Sequence, residues 1–440
     1  MRAVIRRPQS ESYIILEKAK KTPSKKVLIW DCDYGTELAA RFAKDGHDTL
    51  YYTEWPESHS HFNKFAVGLG MDGIKKIKHF FKYYKDVDYI IFMETGRGDL
   101  CNDLRKEKIA NPDSSLPYIF GAGLGEKLEL KRAWAKEIQK QVGLPVAPYK
   151  IIKGVEGVIN YLKKNPGKWI KQDIFRGDKE TFYAEDEYGA RTELNYLRPK
   201  IGPFEETYEF IVEDPVKDAV EAGWDLFFNG NDFLKPYLWG YCQDWFYVGK
   251  FTDKMPPVLE DVAVRIKPIL QELNYRGIIS IECQVVKDGT GFVTDWTTRF
   301  PLPLGFAYEY GLKNFSDVMF AVAEGKDIEL DIKNKYIGYM EVQSMDVQDS
   351  WLKVTFPEKY KDNIKLRKPT KVEGNYYAIP TIDEVLCAVV DSNSNMKNMF
   401  ERICDIGTQI KASGCDAGQA SDAYGIYEEI KKGKKRGLDF

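Results

Sequence analysis

Two runs rich in β-branched residues, GIISIECQVV (277–286) and GFVTDWT (291–297), are separated only by the turn residues KDGT. So short a link makes the two runs neighbouring strands. Glu282 falls on the first strand, and Asp295, Thr297 and Arg299 follow at two-residue intervals on and beyond the second. Side chains alternate along a strand, so the carboxylates of Glu282 and Asp295 can share one sheet face. Two carboxylates so placed attract a hard divalent ion that phosphate oxygens would also ligate. Arg299, on the same side of the pleat, would oppose a phosphoryl group's charge. A charged strand face that is merely solvated is the competing reading.

Around that pair the chain alternates in a readable way. Its 440 residues suggest about three domains. KKVLIWD (25–31) reads as a buried strand, GTELAARFAKDG as a helix ended by Gly46, and DTLYYT and DYIIFME as further strands about a helical IKKIKHFFKYY. This pattern predicts a small parallel α/β domain over 24–125. A helix over LELKRAWAKEIQKQ then opens an α+β body at 126–335. Its strands are KWIKQD, ETFYAE, TYEFIVED and GWDLFFNGNDFL, the last with an Asn229–Gly230 turn, and a helix over PVLEDVAVRIKPILQEL precedes the carboxylate-bearing pair. Residues 336–440 read as a small third domain, and 1–23 as a basic, solvated arm. The terminal EEIKKGKKRGLDF reads as a charged, solvated tail.

Composition removes several function classes. Lysine and arginine number 64 against 67 acidic residues, so the net charge is −3 and no nucleic-acid footprint is visible. No apolar run approaches the roughly 20 residues of a membrane span. The seven cysteines form no CxxC pair, which fits a reducing cytoplasm and gives no zinc or disulfide framework. All four histidines lie in the first fifth of the chain, so chemistry elsewhere must use carboxylates, lysines, arginines and a metal.

Three motifs compete for attention. Gly68, Gly70 and Gly73 spell GxGxxG but do not close the first strand of a βαβ unit, so a loop before a helix is expected. Asp31 and Asp33 beyond a strand resemble the DxD pair of haloacid-dehalogenase-type phosphatases, with Tyr34 intruding. Gly121, Gly123 and Gly125 read as a flexible interdomain turn. The aromatic run 234–251 is either core or the wall of a substrate pocket.

The dispersed features acquire meaning in order. Arg132, Lys136 and the turn Gly143-Leu144-Pro145-Val146-Ala147 resemble the opening segment of the ATP-grasp fold, and KWIKQD resembles its next strand. YEFIVEDPVKDAVEAGWDLFFNG resembles the hinge strand, and the pair around Glu282 and Asp295 the metal-binding strands. The layout is similar to that of phosphoribosylamine–glycine ligases. The resemblance implies an ATP-grasp fold with an N-terminal Rossmann-like domain, a lid over about 148–216 and a small C-terminal α+β domain. It implies ATP bound by Arg132, Lys171, Lys179, Glu213 and Glu221, with Mg²⁺ or Mn²⁺ held by Glu282, Asp295 and, more weakly, Thr297. Arg299 and Asp295 would be catalytic.

The implied activity is ATP-dependent C–N ligation of a small-molecule carboxylate and amine through an acyl phosphate, by a cytoplasmic monomer or homodimer. The sequence departs from the pattern in several places. Tyr34-Gly35-Thr36-Glu37-Leu38 stands where the family has G-G-R-E-H, and the lid FRGDKETF retains only Gly177. Asp295 and Thr297 replace glutamate and asparagine. A ligase for another amine, a nucleotide-binding pseudoenzyme and a phosphohydrolase built on Asp31 and Asp33 therefore stay open.

Overall fold

The computed structural model describes residues 23–32, 34–53, 66–173, 181–243, 245–380, 384–417 and 423–440. The expected N-terminal arm, apart from Pro23, lies outside the described residues, as do Asp33, Gly177 and Lys179.

The first sheet holds β1 (Lys26–Asp31), β2 (Asp48–Thr53), β3 (Ile74–Lys76), β4 (Tyr89–Phe92) and β5 (Tyr118–Phe120), in the order β3-β2-β1-β4-β5. Every pairing is parallel. Parallel strands are buried on both faces, and β1 shows it. Val27 and Ile29 pack with Leu38 and Phe42 of α1 (Thr36–Lys44), while Leu28 and Trp30 pack with Leu104 of α2 (Gly98–Ala110).

One expected element is corrected here. The helix anticipated over 74–84 is instead β3 followed by a 3-10 turn at Phe80–Lys82. Ile74, Ile77 and Phe80 have helical spacing. Edge pairing of Ile74–Lys76 with Thr49–Tyr51 and burial of Ile77 and Phe80 override it. The GxGxxG glycines precede a strand, not a helix. Gly68 N–H donates to Pro369 O at 2.8 Å, and a Cβ on Gly70 would lie 2.1 Å from Lys371 O. The absent side chains of Gly68, Gly70 and Gly73 admit the Tyr51 ring, the Lys371 backbone and Ala43 rather than a phosphate. Nor are the glycines at 121–125 a loose turn. Gly121 bridges Arg276, Gly125 abuts Tyr275, and the buried Arg105 guanidinium donates to Gly121 O and Asn274 O.

The helix expected over 128–141 is broken at Lys131 into α3 (Lys127–Leu130) and α4 (Arg132–Gln141). A four-stranded sheet follows, made of β6 (Tyr149–Lys153), β7 (Lys168–Gln172), β8 (Thr181–Ala184) and β9 (Glu209–Glu213) in the order β6-β9-β7-β8. It packs against α5 (Val155–Leu162) and α6 (Glu187–Ile201) around Val158, Leu162, Leu194 and Phe210.

The largest sheet contains β10 (Val220–Phe228), β11 (Tyr237–Gln243) and β12 (Phe246–Thr252), then, after α7 (Pro257–Glu272), β13 (Gly277–Val285) and β14 (Gly291–Thr297). Two helices, α8 (Leu304–Gly311) and α9 (Phe315–Glu324), lead to β15 (Tyr336–Ser344). Beyond β16 (Leu352–Val354), β17 (Ile364–Leu366), β18 (Pro369–Val372) and β19 (Asn375–Ala378) come β20 (Val385–Asn393), α10 (Met396–Gly407), β21 (Cys415–Ala417) and α11 (Tyr424–Lys434). The order is β14-β13-β10-β11-β12-β15-β20-β17, with β21 also on β15, while β16, β19 and β18 form a separate small sheet. Because β12 pairs directly with β15, one sheet continues through the boundary expected near 335.

One face of the large sheet is dry. Trp224, Ile279, Ile281 and Cys283 pack with Leu259, Val262 and Ile266 of α7 and with Phe400 and Ile403 of α10, and the Trp224 indole donates to Leu259 O at 3.1 Å. Trp239, Tyr241 and Phe246 join this core, and Tyr247 and Phe251 join the cluster that includes α8 and α9, so most of the aromatic run 234–251 is packing. The C-terminal tail belongs to it too. Leu438 is fully buried, and the Phe440 ring stands 5.0 Å from Trp239, so the solvated tail expected from charge alone is corrected.

The opposite face carries one continuous cross-strand row: Gly249, Gly240, Gly223, Glu282 and Asp295, on β12, β11, β10, β13 and β14. Three absent side chains leave a trough ending at two carboxylates. Gly223 is needed there, because a Cβ would lie 2.1 Å from Ile281 O. Gly223→Ala should cost about 2 kcal/mol or more in urea denaturation, as backbone must move. A loss below about 0.5 kcal/mol would contradict this close approach.

Candidate active site

The row opens onto two hollows. One, of about 380 Å³, lies between the four-stranded sheet and the large sheet and is lined by Trp169, Lys171, Glu213 and Gln284 among others. The second, of about 310 Å³, lies over the glycine trough and is lined by Asp225, Ser280, Thr297, Arg299 and Tyr247 among others. Three residues line both: Glu221, Glu282 and Asp295. Along β10, Glu221 faces the first hollow and Asp225 the second, with Gly223 and its partner Glu282 between them.

The sequence expectation for the pair is met in geometry: Glu282 and Asp295 are register partners, with a bulge immediately after Glu282. Asp295 Oδ1 accepts from Trp296 N–H at 2.9 Å, and Oδ2 lies 3.7 Å from Arg132. Glu282 accepts no hydrogen bond from a described side chain. Desolvation pushes its carboxyl up to about 8, with repulsion from Asp295 and Glu221 adding and Lys171 opposing. Burial likewise raises Glu221, although Gln284 Nε2 donates to it at 2.5 Å. Among the described residues no three His, Cys, Asp or Glu side chains form a metal cluster. Two facing carboxylates nevertheless fit a Mg²⁺ ion that takes its other ligands from phosphate and water.

Cations arrive from the first hollow's other wall. Lys171 Nζ donates to Thr294 O at 2.7 Å and lies 3.3 Å from Glu213, which also pairs with buried Lys136 at 2.7 Å. Burial lowers the Lys136 pKa while Glu213 holds it up. Arg132 is positioned by the end of β7. It donates to Gln172 O at 2.9 Å, and Asp173 Oδ1 caps its helix by accepting from Ala133 N–H at 2.7 Å.

Several partners escaped the sequence reading. Arg299 is held by Glu129 at 3.0 Å and Glu94 at 3.2 Å, and Glu129 also accepts from Thr298 N–H at 2.7 Å. Thr297 faces only the second hollow, opposite Ser280 and one step from the carboxylate pair. Asp225 sits deep in that hollow. Burial pushes its carboxyl up to about 7 against hydrogen bonds with Ser280 and Tyr247. Only proximity in the fold marks these three acids, because each stands alone in sequence. Asp31 is fully buried, and its Oδ2 accepts from Gly35 N–H at 2.7 Å and Tyr51 O–H at 2.5 Å. Its partner in the phosphohydrolase alternative, Asp33, lies outside the described residues.

With this geometry in view, comparison with solved structures identifies the fold. Phosphoribosylamine–glycine ligase from Thermotoga maritima superposes with a TM-score of 0.62 at 15% identity, covering 89% of this chain and 98% of that one. The biotin carboxylase domain of 2-oxoglutarate carboxylase from Hydrogenobacter thermophilus, bound to MgADP and bicarbonate, gives 0.64 at 13%, covering 94% and 95%. A carboxyaminoimidazole ribonucleotide synthetase from Thermus thermophilus gives 0.58 at 11%, covering 87% and 98%. The chain has the ATP-grasp fold with an N-terminal Rossmann-like domain. No protein-family model matches the sequence, and no curated protein matches it. No helix among the described residues is long and apolar enough to cross a membrane.

The Glu282 environment makes a signed prediction. Its folded-state pKa of about 8 exceeds the ordinary value of 4.5, so its contribution to stability is present at low pH and lost as pH rises through about 8. Glu282→Gln should therefore melt higher than the parent in metal-free buffer above about pH 8, yet lose its stabilisation by Mg²⁺ and ATP. A variant that melts lower and still responds to Mg²⁺ and ATP would contradict the assignment.

Proposed function

We propose that this chain is an ATP-dependent carboxylate–amine ligase working through an acyl phosphate. The supporting observation is the position of Glu221, Glu282 and Asp295 at the junction of two hollows. A phosphoryl donor on one side and an acceptor on the other would meet at these carboxylates. Nucleotide-binding roles are proposed for Arg132, Lys171, Glu213 and Glu221, and metal-binding roles for Glu282 and Asp295, with Thr297 a weaker candidate. Lys179, proposed for the same nucleotide, lies outside the described residues.

In this reading Lys171 and Arg132 oppose the triphosphate's charge and orient the terminal phosphoryl group toward the second hollow. Mg²⁺, when bound, supplies the charge neutralisation that phosphoryl transfer requires. The substrate carboxylate attacks the terminal phosphorus and ADP leaves, giving an acyl phosphate. The amine nitrogen then attacks the acyl carbon, its C–N bond forming as the C–O bond to phosphate breaks, and the attacking nitrogen's proton goes to the departing phosphate. Arg299, fixed by Glu94 and Glu129, would stand over the developing oxyanion.

The finer reading is ligation of glycine to phosphoribosylamine, as the name of the Thermotoga maritima neighbour suggests. The chain would act on these small molecules as a monomer or homodimer.

The ligase should release ADP only when a carboxylate and an amine are both present, beginning with glycine and phosphoribosylamine. Lys171→Ala and Asp295→Asn should each lower turnover by about 10²-fold or more in that assay. Full activity in either variant would remove the site assignment. Stabilisation by ATP with no turnover on any carboxylate–amine pair would mark a nucleotide-binding pseudoenzyme instead.

A further inference from the structure

The second hollow has a chemistry of its own beyond the carboxylate pair. Its inner wall is Asp225, only 6% exposed, with Tyr247 O–H donating to Oδ2 at 3.2 Å. Tyr247 stacks on Tyr339 at 5.4 Å and 11°, and both rings line the hollow. Tyr308 O–H donates to the Asp225 main-chain carbonyl and fixes that point of β10. Among the described residues no lysine lines this hollow. Its two arginines, Arg132 and Arg299, stand at the Asp295 end and are already engaged by Gln172 O, Glu129 and Glu94. One end of the space thus holds arginines among their carboxylate partners, and the other presents a buried carboxylate beside aromatic rings.

We infer that this inner end is a recognition site for a primary ammonium group, held by the Asp225 carboxylate against the Tyr247 and Tyr339 rings. A desolvated carboxylate gains most from a charge-assisted hydrogen bond, and an ammonium also gains from adjacent aromatic faces. Asp225 is two register positions along and one strand across from Glu282, a separation of about 8 Å. A compact molecule can therefore place a carboxylate near Arg299 and the acidic pair while its ammonium reaches Asp225. A phosphate at this end would meet Asp225 with no unengaged cation beside it. The ammonium could come from an amino acid whose carboxylate is activated, or from the amine that attacks. The inference rests on the ligase reading for its place in a reaction, and on the hollow alone for its chemistry.

The test is calorimetric binding to the full chain in Mg²⁺ and a non-hydrolysable ATP analogue. The probes are glycine and lysine for the first source, and ethanolamine and 1,4-diaminobutane for the second. Glycolate and ethylene glycol, which carry an uncharged hydroxyl in place of the ammonium, serve as the counterparts of glycine and ethanolamine neutral at that position. At least one ammonium probe should bind about tenfold or more tighter than its neutral counterpart, a comparison made on the unaltered chain. Asp225→Asn should weaken that probe by about thirtyfold or more while leaving stabilisation by the nucleotide unchanged. Equal affinity in Asp225→Asn, no preference for ammonium over neutral probes, or no binding by any probe would overturn the inference. Selective ammonium binding in a chain that the nucleotide does not stabilise would sustain the subsite and remove the ligase reading.

Discussion

Two carboxylates face each other across β13 and β14, and much of the surrounding architecture answers to that repulsion. Like charges directly opposite in a sheet cost about 0.2–1 kcal/mol even where water screens them. At Glu282 desolvation raises the carboxyl most, and repulsion from Asp295 and Glu221 adds to it. The pair is held by densely packed neighbours. A dry aromatic and aliphatic layer fills the far face of the sheet, three glycines let β10, β11 and β12 approach closely, and Arg132 is fixed against the end of β7. A carboxylate pair held in this way is suited to receive a cation with its anionic partner.

The cation-bearing walls come from separate parts of the chain. Lys171 reaches the large sheet across the cleft and donates to Thr294 O, and Glu213 gathers Lys136 and Lys171 into one buried cluster. This places the four-stranded sheet against β14 without a covalent link near the contact. The N-terminal domain contributes through Glu94, which helps to hold Arg299 beside the second hollow. Three layers of structure thus converge on a few ångströms of charged surface.

Much of this was legible in sequence because local pattern and global fold agree there. The strand pair around KDGT and the placing of Glu282 and Asp295 on one face follow from alternation and turn residues, whereas Lys171 and Arg132 were marked only by the resemblance to the ATP-grasp fold. Residues 74–84 misled because helical spacing of Ile74, Ile77 and Phe80 also suits an edge strand with a buried 3-10 turn. The C-terminal tail misled because its lysines conceal Leu438 and Phe440, whose partners lie some two hundred residues earlier on β11. Asp225, Glu94 and Glu129 carried no motif. Their importance comes from contacts that only the folded sheet creates.

Manganese offers the most direct view of the central arrangement, since it can replace magnesium and be located by anomalous scattering. Crystals grown with Mn²⁺ and a non-hydrolysable ATP analogue should show the metal between the Glu282 and Asp295 carboxylates, with the triphosphate running toward Lys171. A nucleotide bound elsewhere, or a metal ligated by neither carboxylate, would contradict the account.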